Sequence, residues 1–560
     1  LNIFQPMIQQ TNPVIVQSDM SILLEVQSPL YTEARDSLCA FAELTKSPEY
    51  IHTYKISPIS IWNAASAGLK AGEIIETLKK YSRYDIPSNV VREIYELIER
   101  YGIASLHHHD DNTLYLKVDD TDLFREALTS KHCNKFFVDR DDDGFFIDLL
   151  QRGNVKLAFM NLGYPIEDVA GYKPGRPYDI SLSPSLKSTG SDFNIRDYQK
   201  EASNVFFQKG LDTGGNGVIV LPCGSGKTVV GIKCMSEVKT NTLILSTHIA
   251  AVHQWKRELL DKTDIPEHDI GEYTGAKKEI KPITICTYQI LVYRKKKGGP
   301  FLHFDIFKKG NWGFIVYDEV HLLPAPIFKI TAEIQSTRRL GLTATLVRED
   351  GKEKDVFALI GPKRYDIPWK VLEQKGFIAK GICKEWRVPI SDKDKTAYLM
   401  ADKRQKFRIS SENELKDEVV QHILDKHVND SCLVIGQYIK QLERLAEKLD
   451  APLITGKVSN AKREKLYEQF RNGEINVLVV SKVANFAIDL PDASVAIQVS
   501  GTFGSKQEEA QRLGRILRPK DKPAYFYSVI TKNSKEHDFA MNRQLFLTEQ
   551  GYEYFIEDYE

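Results

Sequence analysis

The chain has 560 residues, with 76 basic and 76 acidic side chains. It is long enough for three or four domains, and its zero net charge gives no global field that would announce a polyanionic partner. No apolar run approaches the ~20 residues needed to cross a bilayer, and Leu1-Asn2-Ile3-Phe4 opens without the basic-then-apolar pattern of a secretory leader.

Residues 1–175 alternate short strand patterns (22–26, 113–116) with amphipathic helical ones (74–78, 91–95), which predicts an α+β module. Two motifs there imitate metal sites. His107-His108-His109 has ligand-type residues, but three consecutive side chains cannot share one face of a helix or strand. Asp139 to Gly144 opens like a calcium loop, yet the twelfth position, which needs a bidentate Glu, is Leu150. The Pro-, Gly- and Ser-rich stretch that follows predicts a linker over 176–193.

Apolar strand patterns at 217–220, 242–246, 283–287, 314–317 and 339–343 then alternate with helices. That is the signature of a parallel sheet buried on both faces. The alternation resumes at 431–435, 477–480, 495–499 and 524–530, with a core stripe of Ile439, Leu442, Leu445, Ala446 and Leu449 on a helix. The expected fold class is therefore α/β, with tandem parallel-sheet domains at 194–375 and 376–535 and a tail at 536–560. A polar stretch at 391–414 carries Lys403, Arg404, Lys406 and Arg408.

Three motifs carry chemistry. Leu221-Pro222-Cys223-Gly224-Ser225-Gly226-Lys227-Thr228 sits between a strand and a helix, where backbone N–H groups and a helix N-terminus can cradle phosphates. Lys227 would neutralise phosphate charge and the Thr228 hydroxyl would ligate Mg²⁺. Leu221 stands where this motif has Gly, and a Gly-rich turn can also be purely structural. The strand ending at Tyr317 continues into Asp318-Glu319-Val320-His321. Asp318 would hold the ion through water and Glu319 would orient and deprotonate the attacking water, although an acidic pair after a strand is often structural. In Gln511-Arg512-Leu513-Gly514-Arg515-Ile516-Leu517-Arg518, Arg515 and Arg518 share one helix face. Guanidinium forks suit transition-state phosphate charge; alone, the pair would read as a basic surface helix. In this order the three motifs predict an ATPase whose arginines come from a second domain.

The seven cysteines are scattered without a CxxC pair, which fits a reducing compartment and gives no zinc ribbon. Cys223 lies inside the phosphate loop, where a small buried residue and an oxidation-sensitive one are both readings.

With Leu340-Gly341-Leu342-Thr343-Ala344-Thr345 followed by Arg348-Glu349-Asp350, the region Asn194 to Pro519 resembles a superfamily 2 helicase, specifically the bacterial branch of the XPB family. The resemblance implies two RecA-like domains preceded by the α+β module, ATP and Mg²⁺ as cofactors, and DNA as partner. It implies adenine recognition by Arg196 and Gln199, with phosphate contacts from Gly224, Ser225, Gly226, Lys227 and Thr228. Asp489 and Gln511 would complete the nucleotide contacts from the second domain. His321, Thr343 and Thr345 would couple nucleotide state to DNA, and Arg348, Glu349 and Asp350 would act in strand separation. Thr287 would lie on the DNA path, as would Thr247, Gln254, Trp255, Thr274, Gly275, Tyr288, Thr455 and Gly456, although Trp255 and Tyr288 read more readily as core residues, and residues 391–414 would be a short thumb. Arg294 to Gly299 would be a backbone contact or a solvated charge run.

The resulting expectation is an ATP-dependent DNA helicase or translocase moving 3′→5′, cytoplasmic and nucleoid-associated, and working in DNA repair. A duplex translocase that does not separate strands, and an ATP-regulated scaffold for a nuclease or repair complex, remain the alternatives.

Overall fold

The structure, a computed structural model, describes all residues except 1–11, 39, 47–49, 67, 111, 171–174, 211–214, 223, 297–298, 300, 304, 324–337, 345–355, 357–359, 362, 368, 482–492, 502–521, 550–551, 553 and 560. The chain divides into two compact units, Leu1–Val220 with Gly226–Asp366, and Ile367–Glu560 with Leu221–Ser225.

The amino-terminal region builds two separate sheets. The first is an antiparallel four-stranded sheet of β1 (Val14–Val16), β2 (Ser21–Glu25), β3 (Glu43–Lys46) and β4 (Ile51–Lys55), in the order β1-β2-β4-β3. Helices Ala71–Tyr81 and Ser88–Glu99 bury Ile74, Ile75, Leu78, Val90, Ile94 and Leu97, the i, i+3, i+4 stripe of their sequences. The second sheet contains β5 (Ala104–His108), β6 (Thr113–Val118), β7 (Phe137–Arg140), β8 (Gly144–Asp148) and β9 (Glu167–Asp168), in the order β7-β8-β6-β5-β9. Its inner face, with Leu106, Leu114, Leu116, Phe145 and Ile147, forms one core with Leu123, Ala127, Val155 and Phe159. Beneath β9, Arg152 and Lys156 both donate to Asp168, Arg152 Nε at 3.0 Å and Lys156 Nζ at 2.8 Å. Burial draws the Lys156 ammonium down to about 8 despite that partner.

The first parallel sheet comprises β10 (Asn216–Val220), β11 (Thr242–Ser246), β12 (Ile270–Tyr273), β13 (Ile283–Thr287), β14 (Phe314–Asp318), β15 (Arg338–Thr343) and β16 (Lys363–Asp366), ordered β12-β13-β11-β14-β15-β10-β16. The central strands β11 and β13 are buried along their whole length, as continuous apolar runs require. The Pro- and Ser-rich linker segment lies extended along this domain. Arg176 N donates to Asn311 O, Tyr178 N to Lys239 O and Ser183 N to Lys262 O, so its backbone groups are paired along the way.

The second unit repeats the architecture with β17 (Gly381–Val388), β18 (Cys432–Gly436), β19 (Leu453–Ile454), β20 (Val477–Ser481), β21 (Val495–Gln498), β22 (Ala524–Thr531) and β23 (Tyr554–Asp558), ordered β19-β20-β18-β21-β22-β17-β23. All the pairings among its described residues are parallel. Residues 391–414 form two short helices, Asp392–Met400 and Lys403–Ser411, whose first turns are capped by Ser391 and Asp402. In the core of this unit Lys416 Nζ donates to both carboxylate oxygens of Glu536, at 2.8 and 2.7 Å, and to Val499 O at 2.8 Å.

Candidate active site

Ligands of open parallel sheets bind beyond the carboxyl ends of the strands. The register brings the predicted motifs to that edge of neighbouring strands. Val220, the last residue of β10, lies opposite Thr343 of β15, and Asp318, the last of β14, lies opposite Leu342. The phosphate-loop motif, the acidic motif and the Thr-Ala-Thr motif therefore leave the sheet side by side.

The loop after β10 depends on glycine. Gly224 has φ +78° and Gly226 φ +83°, a region that disfavours side chains. A Cβ on Gly226 would also lie 2.6 Å from Gln199 Nε2. Gln199 is thereby held against the loop. Its Oε1 accepts from Arg196 N at 3.0 Å, closing a capping box at the start of helix Asp197–Phe207. Ser225 Oγ turns back to donate to Pro222 O at 2.6 Å. Lys227 opens helix Lys227–Val238, with Thr228 half-buried in its first turn.

The two carboxylates after β14 occupy different surroundings. Asp318 accepts the indole N–H of Trp255 at 2.9 Å, and the hydroxyl of Tyr288 donates to its backbone carbonyl at 2.9 Å. Burial, and then the neighbouring charge of Glu319, push the Asp318 carboxyl up to about 6. Glu319 takes a left-handed backbone, φ +50°, which swings its side chain back toward the loop. Its Oε1 lies 3.3 Å from Lys227 Nζ and its Oε2 3.5 Å from His321 Nδ1. Burial works to raise Glu319, but Lys227 and His321 outweigh it and hold the group below its ordinary range. The two acids are thus pushed apart. His321, buried, also shares a 2.6 Å hydrogen bond with Thr343 Oγ1.

The donor set fits a magnesium nucleotide. Asp318 and Thr228 supply the hard oxygen atoms this ion prefers, and Lys227 supplies the cation. The left-handed Gly224 and Gly226 leave the loop backbone open to close approach.

Thr345, Arg348, Glu349, Asp350, Asp489, Gln511, Arg515 and Arg518 lie outside the described residues, as does Cys223. Thr287 is buried at the end of β13, at the N-cap of helix Tyr288–Leu291. Trp255 and Tyr288, for which the sequence offered a core position or a DNA path, are buried, 1% and 2% exposed, and donate hydrogen bonds to Asp318. Their hydrogen bonds to Asp318 are the contribution to the site that sequence reasoning missed. The signal for Trp255 was available: it sits on the buried stripe Ala251, Val252, Trp255 and Leu259 of helix Ile249–Lys262. The histidine run ends strand β5, where His107 pairs with Ser105 Oγ at 2.8 Å. The Asp139–Gly144 run is a hairpin turn in which Asp141 Oδ1 accepts from Asp143 N and Gly144 N.

Comparison with known proteins places this geometry in a family. A family model described as ERCC3/RAD25/XPB C-terminal helicase matches residues 372–558, one for a type III restriction enzyme res subunit matches 192–348, and one for a helicase conserved C-terminal domain matches 14–142. The protein named DNA 3′-5′ helicase XPB of Mycobacterium tuberculosis is 48% identical over 549 residues, covering 98% of each chain. The chain belongs to the XPB family of DNA helicases. The protein of the same name from Kineococcus radiotolerans is 47% identical over 98% of this chain and 96% of that one. The Saccharomyces cerevisiae XPB/SSL2 subunit, named a general transcription and DNA repair factor IIH helicase/translocase, is 30% identical over 97% of this chain and 71% of its own length. Among solved structures, the Pyrococcus furiosus Hef helicase domain aligns with a TM-score of 0.44 at 14% identity, covering 62% of this chain and 98% of that one. Among the described residues, no helix is long and apolar enough to cross a membrane.

Proposed function

We propose that this XPB-family chain hydrolyses ATP at the carboxyl edge of β10, β14 and β15 and uses it to move 3′→5′ along DNA and separate the strands, in DNA repair. The observation that carries the reading is a continuous polar path. It runs from Lys227 to Glu319 (3.3 Å), from Glu319 to His321 (3.5 Å) and from His321 to Thr343 (2.6 Å). One end meets the phosphate loop and the other the strand end that leads into the Thr-Ala-Thr segment. A change of charge at the phosphates can thus be felt at Thr343 without a long-range device.

The roles follow from chemistry. Lys227 places a cation at the mouth of the loop, and Thr228 with Asp318 would hold Mg²⁺. Once bound, the ion neutralises charge on the β- and γ-phosphates. Trp255 fixes the Asp318 carboxylate so that one oxygen faces away from the indole. Glu319, held ionised by Lys227 and His321, orients a water more readily than it takes a full proton, because a depressed carboxylate is a weak base. Gln199, locked against Gly226, offers an amide to an adenine edge. Gln511, Arg515, Arg518 and Asp489 keep their assigned roles on the sequence motifs alone. So do Arg348, Glu349 and Asp350.

A duplex translocase remains the second reading, favoured by the helicase/translocase wording attached to the yeast relative. A nuclease or repair complex as partner belongs with it. Strand displacement from duplexes carrying a 3′ or a 5′ tail tests the first reading. Release from 3′-tailed duplex alone supports it, whereas ATP-driven displacement of a triplex strand without unwinding supports the second.

A further inference from the structure

We propose that the open face of the β7-β8-β6-β5 sheet is a docking surface for an arginine-bearing, basic segment of a partner protein. The face is built by register. Asp139 lies opposite Phe146, Phe146 opposite Tyr115, and Tyr115 opposite His107, so four side chains form one row across four strands on the side away from the core. The inner residues Leu106, Leu114, Leu116, Phe145 and Ile147 of β5, β6 and β8 are fully buried, while Phe146, Tyr115 and His107 remain half-exposed and Asp139, on the edge strand β7, is exposed. An alternating sheet normally puts polar groups on its wet face. Here that face carries touching rings, with Tyr115 and Phe146 centroids 5.3 Å apart and His109 and Phe146 4.8 Å apart.

The ring arrangement is fixed from beneath. A Cβ on Gly144 would fall 2.7 Å from the Tyr115 ring and 2.4 Å from Leu116 O, so only glycine lets the ring lie across the hairpin. The Tyr115 hydroxyl then donates to Asp141 Oδ1 at 2.9 Å.

The charge around the rings selects the occupant. Asp139 stands at one end of the row, Asp148 sits opposite Thr113 beside Phe146, and Asp141 tips Tyr115. Lys117, the basic residue of β6, is paired with Asp119 at 2.5 Å. Exposed aromatic faces on a sheet suit either nucleobases or cations. Carboxylates set among the rings repel phosphate, which removes nucleic acid. They favour a group that stacks flat on a ring and presents a fork to a carboxylate. Guanidinium does both, and the compact, strongly hydrated ammonium of lysine does neither as well.

The test uses the full chain, with anisotropy titrations of labelled oligo-arginine, oligo-lysine and oligo-dT of matched length. The variants are Phe146→Ser, Phe146→Tyr and the pair Asp139→Asn with Asp148→Asn. The proposal expects oligo-arginine to bind several-fold more tightly than oligo-lysine. Its affinity should fall about tenfold in Phe146→Ser and in the double variant, and persist in Phe146→Tyr. Oligo-dT affinity and DNA-stimulated ATPase should stay unchanged in all of them. Absence of oligo-arginine binding, equal binding of both peptides, or loss in the carboxylate pair alone overturns the proposal. Loss of oligo-dT affinity in Phe146→Ser overturns it in favour of a nucleic-acid face.

Discussion

The indole N–H of Trp255 reaches across from its helix to Asp318 Oδ2, 2.9 Å away. A buried tryptophan satisfies its donor, and a carboxylate at the end of a parallel strand gains a fixed orientation. Trp255→Phe keeps the ring and deletes the donor. The Mg²⁺ concentration for half-maximal ATP hydrolysis should then rise about tenfold, the scale of losing a partner behind a metal ligand, with the melting temperature nearly constant. An unchanged Mg²⁺ dependence would show that Asp318 does not hold the ion.

Gly226 is constrained twice, by φ +83° and by the Gln199 amide that a Cβ would strike at 2.6 Å. Gly226→Ala should therefore cost both loop geometry and the position of Gln199. The expected result is at least a tenfold rise in KM for ATP, together with weaker discrimination against GTP. Competition between the two nucleotides measures it directly.

Acid should loosen the first sheet before the rest of its unit. His52 is 4% exposed and shares a 3.0 Å hydrogen bond with the Tyr31 hydroxyl. Burial, then the charge of Arg35, lowers its pKa from 6.5 to about 4. The unfolded state thus binds the extra proton first. Stability is fully present above pH 6.5 and is lost as pH falls toward 4, by about 3 kcal/mol in total. Amide exchange in β2 should show this loss, and His52→Gln should flatten it.

The Lys416–Glu536 pair is wholly buried, with both side chains at 0% exposure. Lys416→Met would strand a carboxylate in the core and should destabilise the second unit by about 3–5 kcal/mol. Lys416→Met combined with Glu536→Gln should recover much of that loss. Urea unfolding followed by exchange in β22 separates the two cases.

Much of this architecture was legible because buried parallel strands are written as apolar runs. The patterns at 242–246 and 283–287 match β11 and β13 residue for residue. Edge strands escaped because they lack that run. β16 is Lys363–Asp366 and β23 is Tyr554–Asp558, both largely charged or aromatic. The phosphate loop and acidic motif were legible as residue types at fixed spacing. Their electrostatics were not, since the splitting of Asp318 from Glu319 depends on a left-handed turn and on Lys227 and His321 converging in space. The hydrogen bonds from Trp255 and Tyr288 to Asp318 were not legible either, because a buried donor in a helical pattern does not name its acceptor.

The central claim is that the Lys227–Glu319–His321–Thr343 path is a hydrolysis site coupled to DNA. The most direct measurement is steady-state ATP hydrolysis by the purified chain with no nucleic acid, single-stranded DNA, duplex DNA or RNA, run alongside Lys227→Ala and Glu319→Gln. The account predicts stimulation by DNA and a fall of at least about a hundredfold in both variants, with ATP binding retained in Glu319→Gln. Turnover indifferent to every nucleic acid, or near-normal turnover in either variant, would contradict it.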